Sequence, residues 1–297
     1  MPGRDICDAI LALPCWSGPI AIDVLAGGMT NRNFRVSDRT GQRYVVRIGR
    51  DIPEHGIMRF NEFAAARAAY SSGIGPEVMH AADGILVSRF VEGAVLTSEQ
   101  VRERRMLGRI TALLRRCHDE IPRHFQGPAL MFWVFQVIRG YCRLLRTRGA
   151  APPDLDLALL TRAAERLERA LGPVSIVFAH NDLLAANLID DGQRLWLIDW
   201  DYAGFNSPLF DLANLAANNE LTPELQAALL EAYFGGPVSA DSRRGFAALM
   251  CASLLRETLW AAVCGLTSTI AFDYGRYGDD YRQRFERQWQ EFETLYG

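Results

Sequence analysis

Apolar and polar positions follow a short period near the start of the chain and a longer one through most of the remainder. The runs Ile22-Asp23-Val24-Leu25, Asn33-Phe34-Arg35-Val36, Gln42 to Gly49 and Ile85 to Phe90 are brief and rich in branched or aromatic residues, which predicts strands, and a further strand is expected around Val78. Between them, Asn61 to Ala69 reads as part of a helix over 58–70, and residues 1–20 predict a short leading helix that ends near Pro14. After Gly93 the spacing turns helical. Ile110, Leu113, Leu114 and Cys117 stand at i, i+3, i+4 and i+7 of a helix that Ser98 would cap and that runs to His118. The loop Gly149 to Pro153 precedes another helix at 154–171. Val174 to Ala179 and Leu195 to Ile198 are short strand-like interruptions. At 297 residues the chain is long enough to divide. The expected architecture is α+β in two lobes. Residues 1–92 would form a small antiparallel sheet with one main helix, and residues 93–297 a larger, mostly helical lobe. The junction falls at Phe90-Val91-Glu92-Gly93.

Chemistry is concentrated in His180-Asn181-Asp182-Leu183-Leu184-Ala185-Ala186-Asn187 and in Asp199, which closes the run Leu195-Trp196-Leu197-Ile198. The pattern H-x-D-x4-N between two strands, followed by an acid, is the layout of a phosphoryl-transfer site. Asp182 is free to receive a hydroxyl proton. Asn187 and Asp199 supply hard oxygens suited to Mg²⁺, which takes one or two carboxylates together with substrate phosphates. Asn and Asp also favour plain turns, but the strand context on both sides favours the functional reading. Upstream, Gly27 and Gly28 would let backbone approach a phosphate, with Thr30, Asn31 and Asn33 as short polar donors. A simple hairpin turn accounts for the glycines equally well. Arg47, on the strand Gln42 to Gly49, is placed to reach the phosphates and to pair with Glu62 in the following helix. The alternative for Glu62 is a solvated residue in a first helical turn. Free backbone groups at Phe90 and Val91 are the expected seat of adenine, so ATP and Mg²⁺ are the expected cofactors.

These segments together resemble the aminoglycoside phosphotransferase and choline kinase superfamily, most closely its choline/ethanolamine kinase branch. Gly27 to Phe34 resembles that branch's nucleotide loop, and Arg47 stands where the branch also carries arginine. Ile198 to Asn206 and Phe210-Asp211-Leu212-Ala213-Asn214 resemble its metal-binding segment and the helix start that follows. Phe272-Asp273-Tyr274-Gly275-Arg276-Tyr277 is similar to an aromatic segment of choline kinases. The likeness runs from Ala26 to about Phe285. It implies a protein-kinase-like fold and transfer of phosphate to the hydroxyl of a small amino-alcohol, with choline first and ethanolamine second. It also implies that Asp211 braces the loop around Asp182 without touching substrate. A quaternary ammonium is held by aromatic faces and a nearby carboxylate, for which Trp260, Tyr277 and Tyr274 are the expected aromatic contacts. Glu257, Tyr202 or Glu220 would provide negative charge. Choline kinases typically carry tryptophan at the positions of both Glu257 and Trp260, so Glu257 departs from that pattern. Aminoglycoside and thiamine phosphotransferases share the scaffold and remain alternatives. A non-catalytic nucleotide-binding scaffold is opposed by the joint presence of Asp182, Asn187 and Asp199.

Composition narrows the partners. With 49% hydrophobic and 23% charged residues the chain is near the globular average, and a formal charge of −3 gives no general attraction to nucleic acid or anionic lipid. The six cysteines lack regular spacing and read as small buried hydrophobes of a reducing, cytoplasmic protein. The uncharged run Thr258 to Phe272 is shorter than the roughly 20 residues of a membrane span and is expected to be a buried helix. His118 reads as a helix-end core residue rather than a catalyst, and Arg139, Arg143, Arg146 and Arg148 as a solvated face. A homodimer stays open.

Overall fold

The computed structural model describes residues 4–25, 28–82 and 84–297. After the helix α1 (Arg4–Leu11) come the strands β1 (Ile20–Leu25), β2 (Arg32–Asp38) and β3 (Arg43–Ile48), the helix α2 (Arg59–Ser71), and the strands β4 (Val78–Ala82) and β5 (Ile85–Arg89). The five strands form one antiparallel sheet in the order β1-β2-β3-β5-β4. Alternation along the strands decides its faces. Phe34, Val36, Val46 and Val87 are buried together with Ile10 of α1 in a small core of their own. Ala65, Ala66, Ala68 and Ala69 of α2 belong to the main core, where their small side chains allow close approach.

The rest is mostly helical. A two-residue strand β6 (Ala94–Val95) leads to α3 (Ser98–Val101), α4 (Arg104–His124), α5 (Val134–Arg148) and α6 (Leu157–Ala170). Next come β7 (Val177–Ala179), β8 (Leu188–Asp190), β9 (Leu195–Leu197) and β10 (Gly204–Asn206), then α7 (Pro208–Asn218), α8 (Pro223–Phe234), α9 (Ala240–Thr267) and α10 (Tyr274–Tyr296). β7 pairs with β10, and β8 pairs with both β6 and β9. These short ladders clamp both ends of the segment 180–199.

Two expectations change. The helix predicted from Ser98 to His118 is two helices. Thr97 is the cap of the first, in a reciprocal capping box with Gln100, because the Thr-x-x-Gln spacing satisfies two backbone donors at once. The second extends past His118 to His124 and carries Pro122 in its last turn, so His118 lies inside the helix. The uncharged run Thr258 to Phe272 is only partly helical: α9 ends at Thr267, and Phe272 is exposed beyond it. At 28 residues α9 is long and apolar enough to cross a membrane, yet 89% of its most apolar window is buried inside the molecule. It packs against α5, α6, α7 and α10 as the central helix of the core. Cys117, Cys142, Cys251 and Cys264 are buried free thiols, while Cys7 and Cys15 are half-buried. Arg143, Arg146 and Arg148 are exposed, whereas Arg139 pairs with Glu168 at 2.6 Å.

Candidate active site

The loop that follows β7 is fixed by a buried carboxylate. Asp211 lies in the first turn of α7 and accepts hydrogen bonds from the backbone N–H of His180 (2.9 Å) and of Asn181 (2.7 Å). Burial would raise its pKa, but the bond from His118 and the backbone donors hold it below the ordinary value. His118 Nε2 meets Asp211 at 2.9 Å and His118 Nδ1 meets the Tyr233 hydroxyl at 2.6 Å. His118 is thus a core residue that positions Asp211. Asn181 takes up a left-handed conformation, φ 67°, which asparagine tolerates better than most residues. Its side chain donates to the Tyr202 carbonyl (2.9 Å) and accepts from Asn206 Nδ2 (2.8 Å). His180 Nε2–H donates to the Ile198 carbonyl (2.9 Å), leaving Nδ1 to accept from the Asp182 N–H (3.3 Å). Burial depresses the His180 pKa and favours this neutral form. The imidazole therefore ties the Asp182 loop to the segment that carries Asp199.

Asp182 lines a cavity of about 630 Å³ that also reaches Phe90, Val91, Asn187, Asp199 and Trp260. Burial pushes its pKa up to about 8, while the Arg256 guanidinium pulls the other way. Asn187 Nδ2 donates to the Asp182 carbonyl at 2.9 Å, which leaves Asn187 Oδ1 as the atom open to a metal. The Asp199 side chain is 30% exposed and that of its neighbour Asp201 only 3%, so Asp199 is the carboxylate a metal can reach. Among the described residues no three His, Cys, Asp or Glu side chains converge on a metal site. An amide oxygen and one carboxylate nevertheless suit Mg²⁺ when phosphate and water complete its shell.

Behind Asp199 lies a cluster of charges. Arg47 Nη1 stands 3.0 Å from Glu62, 2.7 Å from Asp199 and 2.9 Å from Asp201. Arg59 joins Glu62 and, at 3.0 Å, Asp201. Glu62 is 1% exposed, so it is a buried partner of Arg47 and not a solvated helix-end acid. Burial and the adjacent Asp201 raise its pKa, and the two guanidinia oppose them. Thr30 and Asn31, expected to face phosphate, donate to Asp201 Oδ2 at 3.0 and 2.8 Å. A buried carboxylate needs donors, and the nearest short polar side chains supply them. Gly28, Thr30 and Asn33 line the cavity, whereas Asn31 does not. Gly28 has φ 146°, and a Cβ there would fall 2.7 Å from the Asn31 carbonyl oxygen, so only glycine fits. Gly27 lies outside the described residues. Arg59 and Asp201 were not among the expected site residues. Their signals were the i, i+3 spacing of Arg59 and Glu62, and the second acid of Asp199-Trp200-Asp201.

At the far end of the cavity, Trp260 Nε1 donates to the Tyr202 hydroxyl (2.8 Å) and the Tyr277 hydroxyl donates to Glu257 Oε2 (3.1 Å). Arg256 is ion-paired with Glu257. Sequence reasoning missed Arg256, although an Arg-Glu pair in the middle of an apolar helix already marks a buried charge. Tyr274 stands behind the wall. Its ring is edge-on to Trp260 at 5.9 Å and its hydroxyl bonds Ser268 Oγ (2.8 Å) and the Met29 carbonyl (3.3 Å). It borders a second cavity of about 390 Å³ instead. Glu220 is exposed in the turn after α7 and is absent from the cavity wall.

The chain is similar to several known proteins. The family model described as choline/ethanolamine kinase matches residues 22–225. Protein LicA of Haemophilus influenzae is 31% identical over 211 residues, 70% of this chain and 61% of that protein. The matched part thus spans about three-fifths of that relative's length. The crystal structure of a choline/ethanolamine kinase family protein from Mesorhizobium loti has a TM-score of 0.77 and 28% identity, covering 96% of this chain and 94% of the other. A structure of LicA in complex with AMP has a TM-score of 0.78 and 25% identity, covering 97% and 98%.

Proposed function

The chain belongs to the choline/ethanolamine kinase family, and on that premise we propose that it transfers the γ-phosphoryl group of ATP to the hydroxyl of choline or ethanolamine. The observation that carries the reading is the continuity of one cavity. Phe90, Val91, Gly28 and Arg47 line one end, Trp260, Tyr277 and Glu257 the other, and Asp182 stands between them. The AMP complex of LicA supports the binding of a nucleotide.

Phe90 and Val91 offer backbone groups for adenine, and the missing side chain of Gly28 lets its backbone come close to the phosphates. Arg47, braced by Glu62, orients the phosphate oxygens as a planar fork. Asn187 and Asp199 would hold Mg²⁺, which would supply charge neutralisation at the phosphates. Asp182 accepts the hydroxyl proton of the substrate, and its raised pKa places it near the range in which a carboxylate works best as a base at neutral pH. Asp211, His118 and His180 keep that carboxylate in place. Trp260 and Tyr277 meet the ammonium end.

Release of ADP from ATP and Mg²⁺, measured with choline, ethanolamine, thiamine and an aminoglycoside, tests the proposal. Turnover with choline or ethanolamine is expected. Turnover confined to thiamine or the aminoglycoside would move the acceptor elsewhere in the superfamily.

A further inference from the structure

The acceptor end of the cavity already contains a cation. Arg256 is 2% exposed, and its guanidinium carbon lies 4.5 Å from the Tyr202 ring centroid and 5.4 Å from that of Phe132. At such distances a cation occupies the face of an aromatic ring. The same group is ion-paired with Glu257, and its Nη2 reaches the Asn181 carbonyl at 3.5 Å, on the loop that carries Asp182. Arg256 is thereby fixed in place, and the Tyr202 face is taken before any substrate arrives.

The remaining aromatic wall is also partly committed. Trp260 meets Tyr274 and Tyr277 edge-on at 5.9 and 5.6 Å, and its Nε1 is bonded to Tyr202. A carboxylate remains at the cavity wall. Glu257 Oε1 takes Arg256 and Oε2 takes the Tyr277 hydroxyl. A carboxylate offers about four acceptor directions, so about two stay open. An ammonium with N–H donors can use them in charge-assisted bonds. A trimethylated ammonium has no N–H, requires more room, and must rely on ring faces of which one is filled.

Resting on the reading of the chain as an amino-alcohol kinase, we propose that Arg256 and Glu257 make the acceptor pocket selective for a primary ammonium over a quaternary one. Arg256 removes an aromatic face and the space beside it, and Glu257 rewards each N–H. This reverses the order expected from sequence resemblance and places ethanolamine ahead of choline.

The test is the series ethanolamine, N-methylethanolamine, N,N-dimethylethanolamine and choline, with ATP and Mg²⁺ in excess. The value of kcat/KM should fall with successive methyl groups, leaving choline at least about tenfold below ethanolamine, the scale of one charge-assisted hydrogen bond. A flat or rising series would overturn the selectivity while leaving the kinase reading intact. Absence of turnover with all four, while a non-hydrolysable ATP analogue still binds, would overturn the amino-alcohol reading and this inference with it. Glu257→Gln supplies a second measurement. It should lower kcat/KM for ethanolamine at least about tenfold and for choline less than about threefold. An equal loss for both would show that Glu257 does not discriminate.

Discussion

At the scale of single residues, the unusual groups are those whose surroundings oppose their ordinary protonation. Asp182 is one. Asp182→Asn keeps the shape and removes the proposed base, so kcat should fall by several powers of ten with little change in the affinity for an ATP analogue. Near-wild-type turnover in that variant would remove Asp182 from the chemistry. His55 is another. It is buried beside Trp260, bonds the Tyr141 hydroxyl at 2.8 Å, and burial together with Arg256 lowers its pKa from 6.5 to about 4. Because the folded pKa is depressed, the contribution to stability is complete above pH 6.5 and is lost as pH falls toward 4. By pH 5 the loss amounts to about 2 kcal/mol. Urea unfolding at pH 7 and pH 5 should show the wild type losing about 2 kcal/mol relative to His55→Gln, because the raised carboxylates Asp182 and Glu62, which gain stability as pH falls, titrate alike in both proteins. The same pH response in both proteins would mean that another group titrates.

At the scale of elements, Asp211 and α7 do for the loop what its own residues cannot. Two backbone N–H groups end on one carboxylate that is itself held by His118 from α4. Asp211→Ala leaves those donors without acceptors in the core and should cost about 3 kcal/mol. Stability and activity should fall together. A fully stable variant that loses only substrate affinity would instead show a direct role for Asp211. This bracing was foreseen only through resemblance, since Phe210-Asp211-Leu212-Ala213-Asn214 is similar to the helix start in which the family's aspartate braces the loop. The strands were legible directly, their alternation being local. Thr30 and Asn31 were not, because turn sequence shows which side chains can donate but not which carboxylate will arrive from about 170 residues away. Arg256 was hidden in the same manner: its partner Glu257 is adjacent in sequence, but the ring it covers belongs to Tyr202. Tyr274 satisfied the spacing argument and still faces away, since i, i+3 residues share a side of the helix without sharing a cavity.

At the scale of the whole molecule, the sheet and the helical part meet through Asp201. Its carboxylate accepts from Arg47, Arg59, Thr30 and Asn31, all on the sheet side, while its own segment is joined to the Asp182 loop through His180. Burial would raise the Asp201 pKa, but Arg47 and Arg59 hold it below the ordinary value. The cluster contains three carboxylates and two guanidinia, so removing one acid leaves two buried cations with two acids, one of which, Asp199, is also the proposed metal ligand. Asp201→Ala should therefore have two effects. Breaking a buried pair by deleting one partner costs on the order of 3–5 kcal/mol, so the thermal midpoint should drop clearly. Arg47 should also turn more fully onto Asp199, and the Mg²⁺-dependent binding of an ATP analogue should weaken even at temperatures where the variant is folded. Calorimetric titration at 15 °C separates the second effect from the first. Unchanged analogue affinity in a folded Asp201→Ala protein would show that Asp201 only holds the two parts together. Weakened affinity with an unchanged midpoint would show the reverse, that the contact tunes the proposed nucleotide site and other contacts join the two parts.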